Sequence, residues 1–480
     1  MTPSPDVPVR FDEARDHAVR AARAVAGHGF DVVLVRDVRG RFSLVVDDTG
    51  REREADRLLD SWEAEFTGGL GRYRSEQPVV RASRMFSADA VLRSRRAVPD
   101  VTGPAAGGAG SVRVLDNTVV GEDWTRVSAP DPGAGRSRSH RTAVYGFKGG
   151  VGRTTATAVL ARHLADRGHA VLVVDLDLES PGAGPLLAGR HLSRHGVVDH
   201  LVESAVGNAE GLECVTRAAY SPRGRYGELW VAPARGQGTP GTPYTYVDKL
   251  NRVYAELPDA TFGQRLDQAI GACEDMIERD GDSGRRPDVV LLDSRAGIHD
   301  IAAVTISQLC DNALLFGADN QQTWDGYGDL FTAWQSAGQA SRIREKLRMV
   351  ASMVPDSVHF PMDGYLRSFR EHAFAVCSLL YDEVAPGEVG GPDGTDDDTA
   401  YGASPFAPSL HDVWAPHSPV PILFDQGLVG MDSVNAPDWW DRAFVHAAYR
   451  DFLAAVTPMI EDAVSGHGER SGHGRQEGTR

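Results

Sequence analysis

Apolar positions along the chain follow two different periods. Phe11, Ala14, Ala18, Ala21 and Val25 recur at helical spacing, and Gly27 and Gly29 follow as stop signals. Val32–Val35 and Phe42–Val46 read as two strands joined through Asp37–Gly40, a hairpin signal. A second amphipathic helix places Leu58, Leu59, Trp62 and Phe66 on one side. Residues 1–97 are therefore expected to form a small α/β module. It shows no catalytic constellation, and its arginines between 81 and 96 read as solvated.

Residues 98–140 are rich in Gly, Pro, Ala and Ser and read as a linker. Within them Val112–Val127 is less linker-like, since Leu115, Val119, Val120 and Trp124 offer an apolar surface for a neighbouring domain. From residue 141 to 464 the pattern becomes apolar strand, glycine turn and helix, repeated. That pattern predicts a doubly wound α/β domain with a mostly parallel sheet. Residues 386–416, with their Gly, Pro and the acids Asp396, Asp397 and Asp398, read as a flexible surface insertion. Trp439 through Val464 reads as a closing helix that packs through Phe444, Ala447, Phe452 and Val456, and 465–480 as a disordered polar tail.

Composition narrows the function classes. The 480 residues are 41% hydrophobic and 24% charged, as in globular proteins. No run approaches the roughly 18–20 apolar residues of a membrane span, and Met1–Arg10 lacks the apolar core of a signal peptide. Cys214, Cys273, Cys310 and Cys377 are far apart and form no CxxC pair, which excludes a disulfide framework and a zinc ribbon and suits the cytoplasm. A net charge of −17 makes nucleic acid an unlikely partner, leaving only local clusters such as Arg342, Arg344, Lys346 and Arg348. Only three residues are lysine (Lys148, Lys249, Lys346), against 47 arginines.

One of those lysines opens the motif that carries chemistry. Thr142–Phe147 is a short apolar strand, followed directly by Lys148-Gly149-Gly150-Val151-Gly152-Arg153-Thr154-Thr155 and then by a helix through Leu160 and Leu164. Strand, glycine loop and helix together make a phosphate cradle: backbone N–H groups curl inward and the helix N-terminus adds its positive end. Thr154 is placed to ligate Mg²⁺. The run resembles the deviant Walker A loop of the ParA/MinD-like P-loop ATPases, KGGVGKT[ST], at seven of eight positions. The departure is Arg153, as in a bacterial KGGVGR-variant subgroup. Arginine there either binds phosphate bidentately or moves its charge off the transition state and slows turnover; slow hydrolysis is the expectation.

The resemblance implies further roles. Lys148 would reach the nucleotide of a partner subunit, so that ATP is sandwiched in a nucleotide-dependent homodimer. Ala170–Asp177 ends in Asp175 and Asp177, 22 and 24 residues past Arg153. Asp175 would hold the Mg²⁺ water shell, and Asp177 would orient the attacking water. Asp288–Asp293 is the second such strand; Asp293 would serve the magnesium shell and the Gly297 N–H would sense the γ-phosphate. Arg295 stands where a small residue or proline is usual, either as extra charge near the nucleotide or facing solvent. Asn312–Gly317, Leu347–Val354 and Val420–Phe424 read as the remaining strands. Ala351, Ser352 and Met353 replace the asparagine often found for adenine. The expected function is an ATP-dependent dimerisation switch acting on an unidentified partner protein. The alternatives are a nucleotide-sensing adaptor with negligible turnover and a DNA-partitioning ATPase.

Overall fold

The computed structural model describes residues 9, 11–37, 39–100, 110–117, 122–128, 138–241, 243–254, 257, 260–383, 405–429 and 438–473. The chain divides into two compact units, Met1–Val120 and Gly121–Arg480. The boundary falls inside the segment expected as a linker.

The first unit contains α1 (Phe11–Ala26), β1 (Val32–Arg36), β2 (Phe42–Val46), α2 (Glu52–Thr67), β3 (Arg74–Arg81), α3 (Asp89–Leu92), β4 (Val98–Pro99) and β5 (Val112–Asp116). Its sheet order is β3-β2-β1-β5-β4, with β5 parallel to β1. The linker expectation is corrected here. Val112, Val114 and Leu115 pair in register with Val32, Leu34 and Val35, and Leu115 is buried, because a short apolar run gains more as a sheet strand than as exposed chain. Val119 and Val120 lie outside the described residues. Ala14, Ala18, Ala21, Val25, Trp62 and Phe66 form the core beneath the two long helices. Arg81 is not solvated: it is buried against Asp48 at 2.7 Å. Arg84 and Arg93 are exposed as expected.

The second unit runs β6 (His140–Gly146), α4 (Arg153–Asp166), β7 (Ala170–Leu176), α5 (Ala183–Ala188), α6 (Val197–Ser204), β8 (Thr216–Arg217), β9 (Glu228–Ala232), α7 (Tyr246–Val253), α8 (Phe262–Asp280), β10 (Val289–Ser294), α9 (Asp300–Val304), β11 (Asn312–Gly317), α10 (Gln321–Ser336), α11 (Ala340–Ile343), β12 (Leu347–Val354), α12 (Met362–Cys377), β13 (Val420–Leu423) and α13 (Ala443–His473). The strands order as β13-β12-β11-β6-β10-β7-β9-β8, all parallel except the β8–β9 edge. Helices cover both faces, so β6, β7, β9 and β10 are buried along their whole length. That is why β7 and β10 open as continuous apolar runs, Ala170–Val174 and Val289–Leu292, instead of alternating ones. Trp124 packs edge-on to Tyr145, as its apolar surface suggested.

Several expected boundaries change. The closing helix begins at Ala443 after a short turn over Trp439–Asp441, and it continues to His473, past the residue at which the tail was expected to begin. Its buried stripe is Val445, Ala448, Tyr449, Phe452, Val456 and Ile460, while Ala447 is exposed. Ala447 stands five residues before Phe452, about 140° around the helix, and so falls outside that stripe. Residues 386–404 of the expected insertion lie outside the described residues. Of residues 405–416, Ala415 is buried and Phe406 packs on Tyr381. Among the described residues, no helix is long and apolar enough to cross a membrane.

Phe452 is fully buried and meets Phe316 edge-on at 6.1 Å. Phe452→Ala is expected to destabilise this unit by about 3–5 kcal/mol in urea unfolding. Ala447→Ser, on the exposed side of the same helix, is expected to stay within about 0.5 kcal/mol of the parent.

Candidate functional site

The glycine loop connects the end of β6 to the start of α4. Gly150 and Gly152 both have φ +78, a left-handed conformation that costs other residues roughly 1–2 kcal/mol. A Cβ at either would meet nothing within 4 Å, so backbone conformation, not crowding, demands glycine there. Val151 is buried and anchors the loop to the core beneath it, whereas Gly149 is exposed and Thr155 is half-buried. Lys148 is exposed and has no hydrogen-bond or ion-pair partner among the described residues. Its charge is thus free to reach outward.

Arg153 behaves differently. It is buried, its Nη1 donates to the Ser294 carbonyl, and its Nη2 lies 3.9 Å from Asp177 Oδ2. The guanidinium is therefore directed along the strand ends toward the acids. Thr154, the next residue, is half-buried and lies close enough to Asp293 to lower its carboxyl.

The acids come from neighbouring parallel strands. Asp175 and Asp293 are paired in register across β7 and β10, and both are buried. Asp175 Oδ2 accepts the N–H groups of Gly182 and Gly184 at 3.0 and 3.1 Å, and its Oδ1 accepts from the Asp177 N–H at 3.3 Å. Burial, and then the neighbouring Asp293 carboxylate, push the Asp175 carboxyl up to about 8. Burial pushes Asp293 to about 6, against the effect of Thr154 and the Arg153 charge. Asp293 Oδ2 is buried without a hydrogen-bond partner among the described residues. Asp177 is half-buried just beyond β7, and burial raises its carboxyl while Arg153 lowers it.

Gly297 closes the arrangement: its N–H donates to the Gly146 carbonyl at 3.4 Å, and its carbonyl accepts the Tyr145 hydroxyl at 3.2 Å. Arg153, Thr154, Asp175, Asp177, Asp293 and Gly297 thus meet at one end of the sheet. Three contributors were not read from the sequence. Thr157 donates to the Arg153 carbonyl at 3.0 Å and faces Asp293 at 3.4 Å. It lies one helical turn from Thr154, a spacing that could have revealed it. Ser294 contributes only a backbone carbonyl, which no side-chain pattern shows. Glu179 lies just past the acid strand and pairs with Arg295. Arg295 is therefore neither free near the loop nor simply solvated.

Other expected groups lie apart from this centre. Of the basic cluster, Arg344 is buried, ion-paired with Asp382 and stacked on Phe406, and Arg348 is half-buried. The four do not present an open cationic surface. Met353, where an adenine-binding asparagine was sought, is an exposed non-glycine residue at φ +58.

No curated protein sequence matches the chain. Among solved structures, a ParA family ATPase from Chlorobium tepidum TLS overlaps 66% of this chain and 100% of its own, at 13% identity and a TM-score of 0.38. Cobyrinic acid a,c-diamide synthase from Mycobacterium smegmatis, with bound ADP and magnesium, overlaps 50% of this chain and 82% of its own, at 18% identity and a TM-score of 0.34. A chain of the MinC:MinD cell division protein complex of Aquifex aeolicus overlaps 44% of this chain and 68% of its own, at 18% identity and a TM-score of 0.29. Residues 142–354 match the family model of the CobQ/CobB/MinD/ParA nucleotide binding domain. That stretch runs from the strand before the glycine loop to the end of β12, and it belongs to the CobQ/CobB/MinD/ParA nucleotide-binding family.

Proposed function

We propose that this domain binds ATP with Mg²⁺, dimerises through the bound nucleotide, hydrolyses it slowly, and thereby regulates a partner protein. The observation that carries the reading is the convergence of the glycine loop, Arg153 and Thr154 with the buried, in-register pair Asp175 and Asp293. Gly149, Gly150, Val151, Gly152 and Thr155 supply the loop and the first turn of α4, whose N–H groups suit phosphate oxygens. Gly297 stands close enough to the end of β6 for its segment to respond to a terminal phosphate.

The residues fit a magnesium ion. Thr154 offers a hydroxyl, Asp293 offers an unpartnered buried carboxylate oxygen, and Asp175 adds a second carboxylate beside it. Among the described residues no three His, Cys, Asp or Glu side chains form a closed metal cage. Mg²⁺ suits such an open donor set, because it keeps several waters and shares its shell with nucleotide phosphates. When bound, it would supply charge neutralisation to the β- and γ-phosphates. Asp177 is placed to orient water, although Arg153 now lies 3.9 Å from it. That contact, together with the Ser294 carbonyl, holds the guanidinium back toward the acids and supports slow turnover.

Dimerisation is supported by the exposed Lys148 and by apolar residues on the same end of the sheet. Ile298 follows β10, Met353 is the penultimate residue of β12, and Phe424 and Val429 follow β13; they are 53%, 40%, 46% and 68% exposed. Exposed apolar groups around a charged loop suit a face that a second copy covers. In the Aquifex aeolicus complex MinD is joined to MinC; by analogy, an unidentified partner protein would read the nucleotide state here. The same buried Arg153 also favours a second reading, an adaptor that holds ATP with negligible turnover.

Phosphate release with ATP and Mg²⁺ separates these readings. Wild type is expected to turn over slowly, Arg153→Lys about tenfold faster, and Asp177→Ala undetectably, with Asp177→Ala dimeric in ATP by light scattering. A wild type that binds ATP without turnover would favour the adaptor, and a monomeric Asp177→Ala would contradict the switch. The loop itself has a separate test. Gly152→Ala is expected to weaken ATP binding at least about tenfold by titration calorimetry, because alanine resists φ +78, while Gly149→Ala changes it little.

A further inference from the structure

Two positions in this chain depart from the nucleotide-loop and switch patterns, Arg153 and Arg295, and the structure joins them in one ring. Arg153 donates to the carbonyl of Ser294, the residue just before Arg295. Arg295 ion-pairs with Glu179. Glu179 lies two residues after Asp177, whose carboxylate faces Arg153 at 3.9 Å. The ring therefore runs from the loop to the end of β10, across to the segment after β7, and back to the loop.

Glu179 is the node of that ring. Besides Arg295 it accepts the Tyr254 hydroxyl at 3.0 Å and lies 3.6 Å from His299 Nε2. Tyr254 packs edge-on to His299 at 5.3 Å, and the Tyr246 hydroxyl donates to the Leu178 carbonyl at 2.6 Å. Groups from two separate segments, α7 with its cap and the stretch after β10, thus fix the residues that immediately follow Asp177. The ion pair is partly shielded, at 32% and 25% side-chain exposure, so its attraction is less screened than that of a fully exposed pair. The electrostatics reach Asp177 itself: Arg295 lowers its carboxyl and Glu179 raises it.

We propose that the Arg295–Glu179 ion pair is a latch that couples the segment after β7 to the segment after β10 and holds Asp177 against Arg153. Both are positioning residues, and the latch limits turnover of bound nucleoside triphosphate without setting its affinity. This rests on the nucleotide-site reading above. Opening the latch lets residues 178–184 move away from Arg153 and releases Asp177 to orient water. An arginine in the loop and a second arginine after β10 then act as one device, and a change at either should depend on the other.

The test compares wild type with Arg295→Ala, Arg295→Lys, Glu179→Gln and the double variant Glu179→Gln/Arg295→Ala. Three readouts are used: ATP binding by calorimetry, phosphate release, and amide hydrogen exchange of residues 178–184 without nucleotide. Arg295→Ala and Glu179→Gln are each expected to raise turnover about threefold and to speed exchange, with ATP affinity within about twofold. The double variant should match either single one, and Arg295→Lys, which keeps the charge, should stay near wild type. Unchanged turnover and exchange in Arg295→Ala, with ATP still bound, would overturn the latch alone. So would a fall in turnover, or binding without turnover in every variant. Absence of ATP binding in wild type would instead overturn the nucleotide reading, and the latch with it.

Discussion

Two carboxylates, Asp175 and Asp293, are buried side by side because parallel strands β7 and β10 pair in register at their ends. Neighbouring strands lie about 4.8 Å apart. Two full charges near that separation repel by roughly 3 kcal/mol at an effective dielectric of about 20, and each also loses its water. The protein meets this cost locally. Two glycine N–H groups cover Asp175, threonine hydroxyls face Asp293, and the Arg153 guanidinium lies nearby. These contacts are incomplete, since one Asp293 oxygen stays unpartnered among the described residues and both carboxyls are held above their ordinary range. An acid pair so incompletely satisfied by the chain's own groups supports the proposed cation site.

The rest of the unit serves to hold that end of the sheet rigid. β10 lies between β6 and β7, so the strand carrying Asp293 is fixed on one side by the strand before the loop and on the other by the strand bearing Asp175. Helices on both faces keep these strands dry, which prevents the acids from being relieved by water. The loop follows directly from β6, and its two left-handed glycines turn it over the strand ends. Segments that can respond, after β7 and after β10, lie where regular pairing stops.

Much of this was legible in the sequence because its signals are local. The loop, the acid-ended strands and the remaining parallel strands are contiguous runs with fixed spacing, and the sheet places them together as that spacing implies. The misses have a different origin. Strand β5 is hidden by the glycine and proline around it, and its apolar residues Val112, Val114 and Leu115 make sense as a strand only beside a partner. On α13, Ala447 sits about 140° around from Phe452, off the buried stripe, and a small alanine carries little signal of the face it takes. At the site, the sequence shows that Arg153 and Arg295 are unusual but not that they share one ring. That ring depends on a backbone carbonyl at Ser294 and on Glu179, which no motif marks.

The central claim is that the loop and the buried acid pair together make a site for a nucleotide and its cation. Titration calorimetry of ATP into the full chain, with and without Mg²⁺, tests it most directly. The account predicts one nucleotide per chain, bound at least about tenfold more tightly when Mg²⁺ is present, a gain of about 1.4 kcal/mol. Absence of binding, or binding of equal strength without Mg²⁺, would contradict it.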